Sequence, residues 1–278
     1  MKKRMSGWDI KLLLDDILFE MINVIYRVRF FLKNGRKSFG TGKNRELMGR
    51  HAGKRCFVVG NGPSIKTQNL KLLKGEITFF VNRAFLHPDY EYIQPTYHIF
   101  VDPKLQTGEW PINFLDQIAE KNPNVTFLLS AKFYNDPKFQ VYKEKYNIYW
   151  IDMTLISTRF FKGEVDLSTT SVGGAVAEAG IWSAIYMGMK QIYFMGVDGN
   201  GLCYNLIGKE SHYYGSNPED LTRDVLTISK ALYFMSMSLR KWVYLANYCT
   251  KKNVKLVNLT NGGIIDVCPR ESFEKLMS

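Results

Sequence analysis

From residue 55 onward, short apolar runs alternate with helical stretches, and this alternation limits the fold more than any other feature. The strand candidates are Arg55–Val59, Ile77–Val81, Tyr97–Val101, Val125–Leu129, Ile148–Ile151, Gln191–Met195 and Val254–Asn258. The helical candidates between them are Ser64–Leu73, Ile112–Glu120, Lys138–Lys145, Val172–Met187 and Asp220–Thr250. Near-continuous apolar strands separated by helices imply a mostly parallel sheet covered on both faces. The expected fold is α/β, a Rossmann-like doubly wound sheet. A chain of 278 residues, 46% of them apolar, is long enough to bury its core.

The N-terminal segment differs from this body. Residues 1–55 hold fourteen Lys/Arg and five Asp/Glu, whereas residues 56–278 hold twenty-three and twenty-one. Nearly all of the net charge of +11 therefore belongs to the first segment. A basic arm on a neutral body argues against a distributed nucleic-acid footprint. Residues 8–33 read as an amphipathic helix. Asp16, Glu20, Asn23 and Arg27 form a polar stripe; Ile10, Leu14, Ile17, Met21, Val24, Val28 and Phe31 form an apolar one. Such a helix with a cationic flank suits an anionic membrane surface; equally, it suits packing on the body or on a second subunit. The chain divides into a basic arm, 1–53, and a catalytic domain, 54–278.

Cys56, Cys203, Cys249 and Cys268 form no CxxC pair and have no His at zinc-finger spacing, so reduced thiols are expected. No run approaches the roughly 20 apolar residues of a membrane span. Charges interrupt the apolar stretch after MKKRM, which argues against a secretory signal. The expected location is cytoplasmic, peripheral at the inner face of the cell membrane.

Doubly wound sheets bind ligands beyond the carboxyl ends of their strands. The first strand ends in Gly60-Asn61-Gly62-Pro63-Ser64. Its glycines allow a tight turn and close ligand approach, and Ser64 is a natural cap for a phosphate-holding helix. Ile65 stands where a dinucleotide fingerprint has its third Gly, and no Walker lysine follows. Twenty residues after Gly62 comes Asn82, where a dehydrogenase carries an acid. Nucleotide binding is expected, with NAD disfavoured.

Asp102 ends the third strand. Ser168-Thr169-Thr170-Ser171-Val172-Gly173-Gly174 places four hydroxyls before two glycines, read as a second anion cradle opening a helix. Gly196-Val197-Asp198-Gly199-Asn200-Gly201 ends a later strand. Asp198 there suits a sugar hydroxyl, a base or a metal, and equally an Asx-turn. His212, in a polar loop beyond that strand, is the candidate general base. His87 adjoins a proline, and His98 falls within a strand.

Gly60-Asn61-Gly62-Pro63-Ser64, Val81-Asn82-Arg83, Thr169-Thr170-Ser171, Met187-Gly188, Ile192–Asp198 and Ser211-His212-Tyr213 together resemble the DUF115 (MptE-like) family. That family includes archaeal 6-hydroxymethylpterin pyrophosphokinases and proteins of bacterial surface-polysaccharide clusters. The same segments are similar to bacterial family 42 sialyltransferases. The likeness spans roughly residues 54–270.

The sialyltransferase resemblance implies a metal-independent enzyme with a CMP-sugar donor and a glycan or glycolipid acceptor. It assigns Asn61, Ser64 and Asn82 to the donor nucleotide, Thr170 and Ser171 to the donor sugar, and His212 to acceptor deprotonation. Gly60, Gly62, Asp102, Gly196 and Asp198 complete the expected donor site. Two family tyrosines neutralise the leaving phosphate; one falls at Asn200, a departure, and the other at Tyr204 with shorter spacing. The pyrophosphokinase resemblance implies ATP and magnesium instead, with Asp102 and Asp198 as ligands. A non-catalytic nucleotide-sugar-binding protein is the third alternative. A homo-oligomer fits any of these.

Overall fold

The computed structural model describes residues 5–217 and 224–278. Its centre is one eight-stranded parallel sheet: β1 Arg55–Val59, β2 Thr78–Val81, β3 Tyr97–Phe100, β4 Thr126–Ser130, β5 Ile148–Ile156, β6 Thr170–Gly173, β7 Gln191–Met195 and β8 Lys255–Asn258. The spatial order is β6-β5-β4-β3-β2-β1-β7-β8. The chain winds outward from β1 through β6, then crosses back to add β7 and β8. The switch point therefore lies between β1 and β7, where α/β sheets open a crevice at their carboxyl ends.

The helices are α1 Gly7–Leu32, α2 Gly35–Ser38, α3 Tyr90–Ile93, α4 Lys104–Thr107, α5 Phe114–Lys121, α6 Gln140–Lys145, α7 Val176–Tyr186, α8 Gly201–Leu206, α9 Val225–Lys251 and α10 Phe273–Met277. Strand side chains alternate between two cores. Cys56 and Val58 of β1 join the layer holding Trp182 of α7 and Trp242 of α9; Phe57 and Val59 face Leu115 of α5 and Phe273 of α10. Central strands buried on both faces explain their unbroken apolar sequence. Gly180 lets α7 lie close to the sheet, since a Cβ there would come within 2.9 Å of Val58.

β1 and β7 match their expected bounds to the residue. Three expectations are corrected. The hydroxyl-rich segment does not open a helix: Thr170–Gly173 is the edge strand β6, paired with the long β5, and α7 begins at Val176. The helix expected over Ser64–Leu73 is two 3-10 turns, Pro63–Thr67 and Leu70–Leu73. Pro63 starts the first turn with Gly62 at the cap position, so Ser64 is not the cap. The helix expected over Asp220–Thr250 is α9; positions 220–223 lie outside the described residues.

The segment after α1 packs into the body: Leu47 is fully buried, and the Asn44 amide donates to the carbonyls of Trp150 and Leu167. α1 docks by its polar stripe. Asn23 exchanges two hydrogen bonds with the backbone of Ile156, and Asp16 meets Arg159 and Tyr244. The apolar stripe faces outward. No helix among the described residues is long and apolar enough to cross a membrane. The four cysteines are free thiols, with Cys56 and Cys249 buried.

Candidate functional site

The turns after β1 and β7 interlock at the switch point. Gly60 N donates to Met195 O at 2.8 Å, and Gly62 N donates to Gly196 O at 2.7 Å. A Cβ on Gly60 would overlap Gly196 O, and one on Gly62 would overlap the Asp198 carboxylate. These glycines thus make room for the neighbouring turn; ligand approach is not what demands them. Gly196 has φ +64, and a Cβ there would overlap Ile65. Ser64 Oγ donates to Asp198 Oδ2 at 2.8 Å in a buried pair. Burial raises the Asp198 pKa, and the Ser64 hydrogen bond partly opposes the rise.

On the other side of β1, Asn61 Nδ2 donates to Val81 O at 3.1 Å and so ties the first turn to the end of β2. The next residue, Asn82, is left-handed with φ +49, a conformation Asn tolerates better than most residues. Its carbonyl accepts from His98 Nε2 at 2.7 Å, while Tyr90 OH lies 2.8 Å from His98 Nδ1. Burial pushes the His98 pKa down to about 4, so the ring is neutral. A carbonyl only accepts, which puts the proton on Nε2 and makes Nδ1 the acceptor from Tyr90.

The His212 loop closes over these strand ends. His212 and Gly215 form a small antiparallel bridge. Tyr213 N donates to Asn61 O at 3.0 Å, and its hydroxyl donates to the carbonyls of Arg83 and Ala84. Tyr214 stacks on the His212 ring at 5.0 Å, and Ser211 Oγ lies 3.0 Å from His212 Nδ1. Arg83 donates to Asn217 Oδ1 at 2.8 Å, and its guanidinium lies over Trp110, Phe114 and Tyr214. Asn61 Oδ1, Asn82 Oδ1, Asn200 Oδ1 and Arg83 Nε are buried, and none has a hydrogen-bond partner among the described residues. Buried polar atoms in a folded protein are nearly always paired. Asn44 Oδ1, Gln68 Oε1 and Thr170 Oγ1 are unpaired in the same way outside this cluster.

The family model described as "6-hydroxymethylpterin diphosphokinase MptE-like" matches residues 31–204. The chain belongs to this family. A search of curated proteins finds no match. Among solved structures, the chain is similar to the MAf glycosyltransferase of Magnetospirillum magneticum AMB-1, at TM-score 0.50 and 16% identity. That comparison covers 85% of this chain and 38% of that one, so the chain spans well under half of its length. The sialyltransferase CstII of Campylobacter jejuni, solved with cytidine-5'-monophosphate, aligns at TM-score 0.48 and 15% identity over 79% of this chain and 85% of that one. Cst-I of the same organism, a monofunctional alpha-2,3-sialyltransferase, aligns at 0.42 and 17% over 77% and 78%. The glycosyltransferase likeness is one of fold.

In this MptE-like protein, Gly60, Asn61, Gly62, Ser64, Asn82, Gly196, Asp198 and the His212 loop come together at the switch point. Asp102 stands on the same rim, where its Oδ1 accepts from Lys104 N at 3.0 Å. Asn200 precedes α8, whose first residue lies beside Ser211, and Tyr204 sits one turn into that helix. Thr170 and Ser171 lie away from this cluster, at the far edge of the sheet. They stand on β6, five strand steps from β1, roughly 24 Å at ordinary strand spacing. There they line a cavity of about 780 Å³ with Arg27, Phe30 and Arg36 of the arm. A role for Arg83 is not legible in the sequence alone. The signal was its place beside Asn82, but the three rings around it come from separate segments.

Proposed function

We propose that this protein is a glycosyltransferase that takes a nucleotide-sugar donor, with a CMP-sugar as the first candidate. One observation carries the reading: Asn61, Asn82 and Asn200 leave buried amide oxygens without donors beside the His212 loop. The amino group of a cytosine and the hydroxyls of a ribose are donors of the kind these oxygens lack. Arg83 supplies the positive charge for the departing phosphate, because neither expected cradle is the start of a long α-helix. In the tautomer whose Nδ1–H donates to Ser211 Oγ, 3.0 Å away, His212 takes the acceptor proton at Nε2 as the acceptor oxygen attacks the anomeric carbon.

A second reading, an ATP-dependent pyrophosphokinase acting on a pterin, is supported by the family description. Asp102 and Asp198 are the carboxylates it would use; Asp198 Oδ2 accepts from Ser64 Oγ, and Asp102 Oδ1 accepts from Lys104 N.

Thermal shifts with CMP, UDP, GDP and ATP, each with and without magnesium, separate the readings, because a ligand raises stability by mass action. The expected result is a shift with CMP that magnesium does not change, and slow CMP-sugar turnover that His212→Ala abolishes while CMP binding persists. AMP release with a pterin acceptor favours the second reading. Turnover undiminished in His212→Ala removes the base assignment.

A further inference from the structure

The cavity at the β6 edge is lined by charge that the fold leaves unused. It lies between the end of α1, α2 and the outer strands β5 and β6, and its volume of about 780 Å³ is that of a small-molecule site. Phe30, Phe31, Leu155, Phe161 and Val172 give it an apolar wall, and Arg27 and Arg36 stand in the same wall. A second cavity of about 330 Å³ shares Phe30 and Thr170 with the first and adds Arg29 and Lys132. Among the described residues, none of these cations makes an ion pair with an acid.

The acids of these walls are engaged within the chain. Glu164 pairs with Lys252, Asp166 Oδ1 accepts from Ser168 N at 2.8 Å, and Asp152 holds the Thr154 hydroxyl. Thr170 stands between the two cavities. It is 8% exposed, and its hydroxyl has no hydrogen-bond partner among the described residues. A buried hydroxyl costs stability unless something pairs with it. The site thus offers cations and one hydroxyl beside an apolar wall. Among the described residues, no buried amide oxygen without a partner lines either cavity; Asn61, Asn82 and Asn200 hold theirs at the switch point.

We propose that this cavity binds a phosphate monoester carried on a long hydrocarbon chain. Arg27 and Arg36 hold the phosphate oxygens through charge-assisted hydrogen bonds, the Thr170 hydroxyl donates to one of them, and the chain lies against the phenyl rings. Phe31 marks the way out. It lines the cavity and is 82% exposed, so the chain extends past it while the head stays inside. A compact anion leaves the aromatic wall uncovered, and a nucleotide leaves its base edge unread. The site stands on β6, at the far edge of the sheet from the His212 loop, and does not depend on the donor reading.

Calorimetric titration of the full chain with dodecyl phosphate, below its micelle concentration, tests this. Dodecyl phosphate is expected to bind, and inorganic phosphate and dodecyltrimethylammonium to bind at least about tenfold more weakly. The double variant Arg27→Gln, Arg36→Gln is expected to weaken dodecyl phosphate by about tenfold or more. Both side chains are exposed, so its melting profile should not change. Thr170→Val keeps the branched shape on β6 and removes only the hydroxyl; a severalfold loss is expected. Because Thr170 is buried, this variant separates the cavity from binding on the outer face of α1. Saturating CMP should leave the titration unchanged. No gain over inorganic phosphate, equal binding of dodecyltrimethylammonium, full affinity in the double variant or in Thr170→Val, or displacement by CMP overturns the proposal.

Discussion

Asp16 of α1 meets Arg159, beyond β5, at 2.5 Å; the carboxylate is fully buried, and the guanidinium remains partly exposed. Tyr244 of α9 donates to the same carboxylate at 2.8 Å. An amphipathic helix ordinarily turns its apolar face inward. Here the contact is made by polar groups, which accounts for the outward apolar stripe. Removing the acid leaves Arg159 and the Tyr244 hydroxyl without their shared acceptor. Asp16→Ala is expected to cost roughly 2–4 kcal/mol and to loosen α1 before the sheet. Limited proteolysis reads this directly: cleavage within residues 7–32 at a denaturant concentration where the body stays protected. Equal protection of α1 in the variant and wild type contradicts the docking role.

Gly60 tests the interlocked turns. A Cβ at this position meets the backbone oxygen of Gly196, which has no side-chain freedom to move aside. Overpacking of this kind costs about 1–3 kcal/mol. Gly60→Ala is therefore expected to lower the urea midpoint and to weaken CMP binding at least tenfold, because Asn61 moves with the turn. Gly75→Ala serves as the comparison. Its φ is +83, unlike that of Gly60, but its Cβ would enter open space, so the substitution should leave binding intact. Equal binding in both variants separates Gly60 from the site.

His98 links the site to acid stability. Its folded pKa of about 4 lies below the ordinary histidine value. Above about pH 6.5 both folded and unfolded chains hold it neutral, and its contribution to stability is complete. Between about pH 6.5 and 4 the unfolded chain takes up a proton that the folded chain refuses, so stability falls as pH falls. The loss approaches about 3 kcal/mol. NMR titration should find the His98 imidazole still neutral at pH 5. A His98 that titrates near the ordinary histidine value shows that its bonds to Tyr90 and Asn82 do not hold in solution.

The sheet was legible because burial on both faces writes itself into a strand as unbroken apolar sequence. β6 was not: Thr170-Ser171-Val172-Gly173 carries weak strand character and becomes a strand only by pairing with β5, a long-range contact. Asn61 and Asn82 could be found from the glycine turn and the spacing of the strands. The role of Ser64 could not, since Asp198, which draws its hydroxyl away from capping, lies 134 residues along the chain. Periodicity found both stripes of α1 but carries no information about which one meets the protein. That choice was made by Arg159 and Ile156, far away in sequence.

Glu178 gives a stability effect of opposite sign. It sits third in α7, wholly buried, below Gly174, where a Cβ would overlap its carboxyl. Burial lifts its pKa to about 8, against smaller opposing effects from Lys241 and the backbone at Ala175. Below about pH 4.5 both folded and unfolded chains hold the proton, and the contribution to stability is complete. As pH rises from there to about 8, the unfolded chain ionises and the folded chain does not. Stability then falls by about 1.4 kcal/mol per pH unit; above about pH 8 both are ionised and the loss stops. Glu178→Gln keeps the shape and cannot ionise. Its urea midpoint should match the wild type near pH 5 and exceed it increasingly at pH 6.5 and 8. Two curves that run parallel across that range mean that Glu178 is already ionised in the folded protein, held by Lys241 of α9.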